Sequence, residues 1–178
     1  MIGLPFRRLG ADARGVALTE FALSLPLMML IYLGGYQLCD GISAYRKMTT
    51  TTRTIADVTS QYTVVTDNDL DTVLAASQQV MSPYKASDAK FTITQVKIDD
   101  KGVATVDWSR GKNIAGLTPG TAFTIPDSIR QPNTSLLVAE TLYTYKASAI
   151  GSFVGDIPMK DRIILMPRAT GSIKWKAS

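Results

Sequence analysis

The chain has no histidine and a single cysteine, Cys39. Without histidine there is no Ser-His-Asp triad, the usual zinc-ligand sets are missing, and the commonest general acid–base side chain is absent. With one thiol there is no intrachain disulfide. Also lacking is any block of lysine and arginine: the net charge is +4, but the cations are scattered, so charge makes no case for nucleic acid. No Gly-rich nucleophile turn is present. Glu140 and Asp107 fall in separate predicted strands, and nothing in their spacing brings the two carboxylates together. No internal repeat or low-complexity linker interrupts the 178 residues, a length that suits one domain with attachments. The composition points away from an enzyme and calls for no cofactor.

What the chain has instead is one long uncharged stretch. Residues 21–39, FALSLPLMMLIYLGGYQLC, form 19 positions without a charge. At ~1.5 Å per residue, a helix of that length matches the ~30 Å hydrocarbon core of a bilayer. It exceeds the ~7–15 apolar residues of a signal-peptide core. No Ala-x-Ala site follows it directly, so it is expected to stay as an anchor. Arg7, Arg8 and Arg14, with Asp12, precede it; Arg46, Lys47 and Arg53 follow, which nearly balances the positive-inside bias. The Thr- and Ser-rich, strand-like later chain favours export of the C-terminal part. Pro26 removes the helix bond to the carbonyl of Ala22 and predicts a kink, which is either a flexible point that helps extraction from lipid or a tolerated membrane proline. Gly34-Gly35 allows close helix contact but is not a G-x3-G. Cys39, at the end of the run, reads as a small apolar side chain, with an intermolecular disulfide or a lipid attachment as the alternatives. The preceding Tyr36-Gln37-Leu38 lacks the small residues expected before a lipid-modified cysteine.

Just ahead of the run stands Arg14-Gly15-Val16-Ala17-Leu18-Thr19-Glu20-Phe21. A carboxylate at the centre of a membrane helix costs roughly 2.5–3.5 kcal/mol on insertion scales. At the interface it costs less, and the unpaired N–H groups of a helix N-terminus favour it. The bland reading of Glu20 is therefore an interfacial residue that marks the head of an anchor. The glycine five residues earlier gives the pattern a second meaning. It resembles the processing site of type IV pilins and, more closely, of the Flp and TadE families. The Glu20-Phe21 pair and the following run with Pro26 resemble TadE rather than the much shorter Flp major pilin. The resemblance implies that prepilin peptidase cuts between Gly15 and Val16 and leaves a short basic leader in the cytoplasm. The new α-amine of Val16 would lie four residues from Glu20 on one helix face. Glu20 would then pair with that amine or with the amine of a neighbouring subunit, and the second pairing would set subunit register.

Beyond the anchor, Tyr45, Met48, Ile55, Val58, Tyr62 and Val65 fall on one helical stripe, which predicts a helix from residue 16 to about 65 despite the poor helix formers at 49–52. That stripe must bury itself, and a small β-sheet is the natural partner. Asp67-Asn68-Asp69 reads as a helix start capped by Thr66 or Asp67, with Leu70, Val73, Leu74, Ser77 and Met81 on one face and Pro83 as the stop. Asp67, Asp69 and Asp71 begin like a calcium loop, but the later glycine and closing glutamate are missing, so no metal is expected. Phe91 and Ile93 alternate, then Val96 and Ile98 alternate in the opposite phase, which predicts a bulge. Asp99-Asp100-Lys101-Gly102 is a turn, and Ala104, Val106 and Trp108 alternate in a return strand. A turn-rich stretch from 111 to 133 follows, with a short run at 122–125. Further strands are predicted at 136–145, with Tyr143 and Tyr145 on one face, and at 163–166, ended by Pro167. The apolar loop 150–159 is either a partner or membrane contact or folds under the sheet.

The fold class expected is α+β: a long N-terminal membrane helix packed on a small antiparallel sheet. The expected organisation is a leader 1–15, a helix 16–65 containing the span 21–39, and an α+β domain 66–178. The segments SLLVAETLYTYKA, AIGSFVGDIP and ILMPRATG also resemble the TadE family, though loosely. The resemblance implies a minor pilin or pseudopilin in assembly or priming of a Tad pilus, held in a bacterial inner membrane with a periplasmic C-terminal domain. Its implied partners are other pilins and pseudopilins, prepilin peptidase, the assembly platform and the bilayer. The alternative is an uncleaved single-pass protein with a periplasmic binding or scaffold domain.

Overall fold

The computed structural model describes residues 13–147 and 155–176; the leader as far as residue 12 and residues 150–154 of the predicted apolar loop lie outside the described residues. Helix α1 runs Ala13–Ser60 without interruption at Pro26. Strand β1 (Val64–Thr66) leads into helix α2 (Asp67–Val80), followed by strands β2 (Ala89–Ile98), β3 (Ala104–Lys112), β4 (Ser135–Lys146), β5 (Asp156–Leu165) and β6 (Lys174–Lys176). The main sheet is antiparallel in the order β3-β2-β4-β5, while β1 and β6 form a separate parallel pair. The architecture is the expected one, a long helix with an antiparallel sheet.

The upper half of α1 lies against the face of β4 and β5, and the residues it buries there differ from the predicted stripe. Ala44, Met48, Ile55 and Ala56 are buried with Thr51, Thr52 and Thr59, whereas Tyr45 stays exposed. The helix ends at Ser60 rather than continuing to residue 65, and Val65 is buried from β1. Within the threonine run the hydroxyls of Thr50, Thr51 and Thr52 bond back to the helix, while that of Thr49 is buried without a partner among the described residues. Thr50, Thr51, Thr52 and Thr54 donate to the carbonyls of Arg46, Lys47, Met48 and Thr50 at 2.9, 2.8, 3.0 and 2.9 Å. With its hydroxyl satisfied in this way, a threonine can pack its methyl group as an apolar residue would. Thr52 also reaches the sheet, its hydroxyl 2.8 Å from that of Thr141 on β4.

The C-terminal end of α1 is closed by the Pro-Arg segment after β5. The backbone N–H of Arg168 donates to the carbonyl of Ser60 at 2.8 Å, and its guanidinium pairs with Asp57 at 2.6 Å. One of the orphan carbonyls of the helix end is thereby satisfied. Helix α2 begins with the expected cap. Thr66 accepts from the N–H of Asp69 at 3.2 Å while Asp69 accepts from the N–H of Thr66 at 2.9 Å, a reciprocal capping box. The Thr66 hydroxyl, 2.7 Å from Asp69 Oδ2, and after it the Thr66 backbone N–H hold the Asp69 carboxyl below its ordinary range. Leu70, Val73, Leu74, Ser77 and Met81 are buried as predicted.

The sheet has two cores, which corrects the reading of the hairpin. Phe91, Ile93, Leu137, Ala139, Tyr143 and Tyr145 face α1, whereas Val96, Ile98, Ala104, Leu136 and Val138 form a second cluster with Ile125 from the long connection. The phase change in β2 is therefore ordinary alternation: one face is covered along its first half and the other along its second. A bulge does lie between Gln95 and Val96, but the extra residue is on β3, since Gln95 opposes Trp108 and Val96 opposes Val106. The extra residue, Asp107, accepts from Gln95 Nε2 at 2.6 Å. It also moves Trp108 off the face of Ala104 and into the helix-side core, where its indole N–H donates to the carbonyl of Ile173 at 3.0 Å. Strand β5 starts at Asp156, not 163, so Ile157 and Met159 of the predicted loop belong to an edge strand.

The Thr52–Thr141 contact gives a test of helix–sheet docking. Thr52→Val and Thr141→Val should each lower stability by about 1 kcal/mol, and the double variant by less than the sum, because both partners of one buried bond are then removed together. Denaturant unfolding of the four proteins measures the coupling.

Candidate membrane and assembly surface

Below the sheet, α1 is bare. Every side chain from residue 15 to residue 32 is exposed, and Gln37 is the first buried position. Leu23 is 80% exposed, Leu30 70% and Tyr32 74%, so the apolar surface runs all the way round the helix and is no stripe. A helix of this kind is stable only where something other than water surrounds it. Its length and hydropathy suffice to cross a membrane, and none of the span is covered by the rest of the protein. The two hydroxyls at its start are satisfied within the helix: Thr19 donates to the carbonyl of Val16 at 2.8 Å and Ser24 to that of Phe21 at 3.1 Å. No hydrogen-bonding group is thereby left for lipid to satisfy at these positions.

The residues singled out from the sequence lie on this bare part. Gly15 and Val16 are in the first turns of α1, and open space surrounds Gly15. Glu20 and Phe21 are exposed. Glu20 forms no ion pair among the described residues. Cys39 is an exposed free thiol, and so does not pack into the protein interior. Gly34 and Gly35 each face open space. The other acids that drew attention are occupied elsewhere. Asp71 receives a two-pronged bond from Arg110 at 3.1 and 2.8 Å, which holds its carboxyl low, and Asp67 lies 3.6 Å from the same guanidinium. Glu140 pairs with Lys160 and Arg162, on the opposite side of β2 from Asp107. Among the described residues no cluster of ligands could hold a metal ion.

A polar clasp that the sequence did not reveal sits where the uncharged run ends. Asp40 is the first charged residue after it. The Tyr145 hydroxyl donates to Asp40 Oδ2 at 2.6 Å and accepts from the Gln37 amide. The Tyr84 hydroxyl lies 2.9 Å from Asp40 Oδ1 and 3.0 Å from its carbonyl oxygen. Burial, followed by the hydrogen bond to Asp40 and its charge, pushes the Tyr84 phenol up to about 12 and moves the Tyr145 phenol upward as well. The clasp joins α1 to β4 and to the segment after α2. Its partners are far apart in sequence, and this is why only the assembled fold displays it.

The raised phenols set the sign of a pH effect. A group that holds its proton more tightly when folded stabilises the fold below its unfolded pKa and loses that stabilisation as pH rises. Stability should therefore be level through neutral pH with respect to these tyrosines, and fall between the ordinary phenol value of about 10 and the raised value of Tyr84. Tyr84→Phe should flatten that fall, as read by urea unfolding of the detergent-solubilised chain at a series of alkaline pH values.

The family model described as TadE-like protein matches residues 15–57, from the glycine at the head of the bare helix through the part of α1 packed on the sheet. No curated protein and no solved structure matches the chain. Over residues 15–57 the chain is thus similar to TadE-like proteins, and among the described residues α1 is the one helix long and apolar enough to cross a membrane.

Proposed function

We propose that the chain is a minor pilin or pseudopilin in the assembly or priming of a Tad pilus, and that prepilin peptidase cuts it between Gly15 and Val16. The observation that carries this is the family match, which begins at Gly15, the residue before the proposed cut, and runs into apolar side chains that are exposed from Val16 onward. Cleavage would leave a mature chain of residues 16–178, with the helix running to Ser60, its span at 21–39, and the α+β domain beyond it. The leader 1–15 stays cytoplasmic and the domain is periplasmic, anchored in the inner membrane.

The work is done by binding and not by catalysis, and no cofactor takes part. Lipid covers the bare helix until the helices of other pilins and pseudopilins replace it. Glu20, one helical turn from the α-amine of Val16, then pairs with the amine of a neighbouring subunit and fixes register, with Phe21 beside it in the apolar contact. The amine and the carboxylate attract strongly there because the surroundings are apolar. Pro26 leaves one carbonyl of the helix without its N–H partner and supplies a point of compliance. The assembly platform acts on this helix, while nucleic acid has no part.

One observation favours the rival, an uncleaved single-pass scaffold: the Gly15–Val16 bond lies inside α1, which begins at Ala13. A peptidase needs that segment extended. The first turn of a helix has no preceding turn to hold it, so opening it costs little. N-terminal sequencing of the membrane form separates the two readings, with Val16 expected first; a chain that still starts at Met1 alongside an active peptidase sinks the proposal. Gly15→Ala should retain the leader. Glu20→Ala should insert and be cleaved normally but assemble poorly, and full assembly of that variant would remove the register role.

A further inference from the structure

A groove of about 420 Å³ lies between α1 and the end of the β4–β5 hairpin. Gly34 and Gly41 form its floor, and Tyr145, Ile157 and Met159 line its sheet side. The glycines make the space. A Cβ at Gly34 would meet nothing within 4 Å, and one at Gly41 would only reach ordinary contact with the Tyr145 ring at 3.6 Å. The fold therefore tolerates side chains at both positions, and leaving them out opens an apolar trough along the helix. Its lower end, at Gly34 and Leu38, belongs to the uncharged run, and its upper end, at Ile42 and Tyr45, lies beyond Asp40, the first acid after that run. The trough thus crosses the level at which the helix leaves the bilayer and is continuous with the bare lipid-facing surface. Arg46 follows Ile42 by four residues, on the same helix face one turn higher. It is exposed and forms no ion pair among the described residues.

We propose that this groove is a phospholipid site, with one acyl chain lying along Gly34 and Gly41 against Tyr145, Ile157 and Met159, and the lipid phosphate at Arg46. The inference rests on the membrane-anchor reading and goes beyond it, because it raises a lipid chain above the plane where α1 emerges. The volume falls within the ~300–1,000 Å³ usual for small-molecule sites. An acyl chain suits the apolar lining, and a cation one turn above the groove suits the phosphate. The clasp at Asp40 holds Tyr145 and α1 together, so the groove keeps its width without an occupant.

The test uses the full chain with Cys39→Ser and Ile157→Cys, a bimane label on the new thiol, and vesicles of phosphatidylethanolamine and phosphatidylglycerol containing a phospholipid with a doxyl quencher on its acyl chain. A label at Lys101→Cys, on the β2–β3 turn at the far end of the sheet, is the reference. The expected result is strong quenching at position 157 and none at 101. Gly34→Leu, whose Cβ meets nothing within 4 Å and whose side chain would occupy the trough, should abolish most of the quenching at 157. Arg46→Gln should weaken it. A chain that stays in the carbonate-washed membrane pellet while the label at 157 is unquenched overturns the lipid site and leaves the anchor standing. Protection of that label that grows with protein density identifies a second copy as the occupant and also overturns it. Absence of the chain from the pellet removes the anchor itself.

Discussion

An apolar helix longer than the domain it serves needs two different coverings, and that requirement organises this protein. Helix α1 packs its upper half on β4 and β5 and leaves its lower half exposed among the described residues. Each half is stable for its own reason. Above, burial of Met48, Ile55 and their sheet partners supplies the hydrophobic term, on the order of 1.5–3 kcal/mol per large side chain. Below, the helix bonds its own backbone apart from the carbonyl that Pro26 leaves without a partner, and the side chains suit lipid or other helices. The same exposed surface that would drive aggregation in water is long and apolar enough to cross a membrane.

The boundary between the two halves is held by the Asp40 clasp. A carboxylate and two phenols so placed would be a liability if any of them lacked a partner, since a half-satisfied polar network in low dielectric is worse than none. Here Gln37, Asp40, Tyr84 and Tyr145 satisfy one another, and they do so at the residue where the charge-free run stops. The clasp ties the sheet to the helix at that level and so orients the hairpin end of β4 and β5 beside the emerging anchor. The groove beneath Tyr145 exists because of this placement.

The rest of the domain is arranged to keep that sheet in place. The β3 bulge at Asp107 turns Trp108 toward the helix side, where it meets Trp175 of β6 with ring centroids 6.4 Å apart. Strand β6 pairs with β1, next to the end of α1, and Arg168 closes the helix terminus. Local caps and distant strands thus converge on one helix, fixing its upper end as firmly as the clasp fixes its middle.

Several features were legible in the residues because their cause is local. Nineteen uncharged positions are enough for a helix of membrane length. Thr66 three residues ahead of Asp69 makes a capping box from backbone geometry alone, and the turn at 99–102 needs only its own side chains and glycine. The glycine–glutamate spacing at the head of the run was equally visible. What the sequence left open required contacts between distant segments. The helix buries Ala44 and not Tyr45 because β4 and β5 approach that face, and periodicity cannot say which of two neighbouring residues the sheet will meet. The phase change in β2 was read as a bulge in that strand because alternation does not reveal that both faces are covered; only pairing places the extra residue on β3. Strand β6 is three residues long and largely polar, so its pairing with β1 leaves no pattern. The clasp joins residues 37, 40, 84 and 145, and no spacing along the chain encodes it. The sequence by itself determined the anchor, since a bilayer reads length and charge one residue at a time. Only the tertiary structure decided how the domain stands on that anchor, since this depends on which side chains the fold brings within hydrogen-bonding distance.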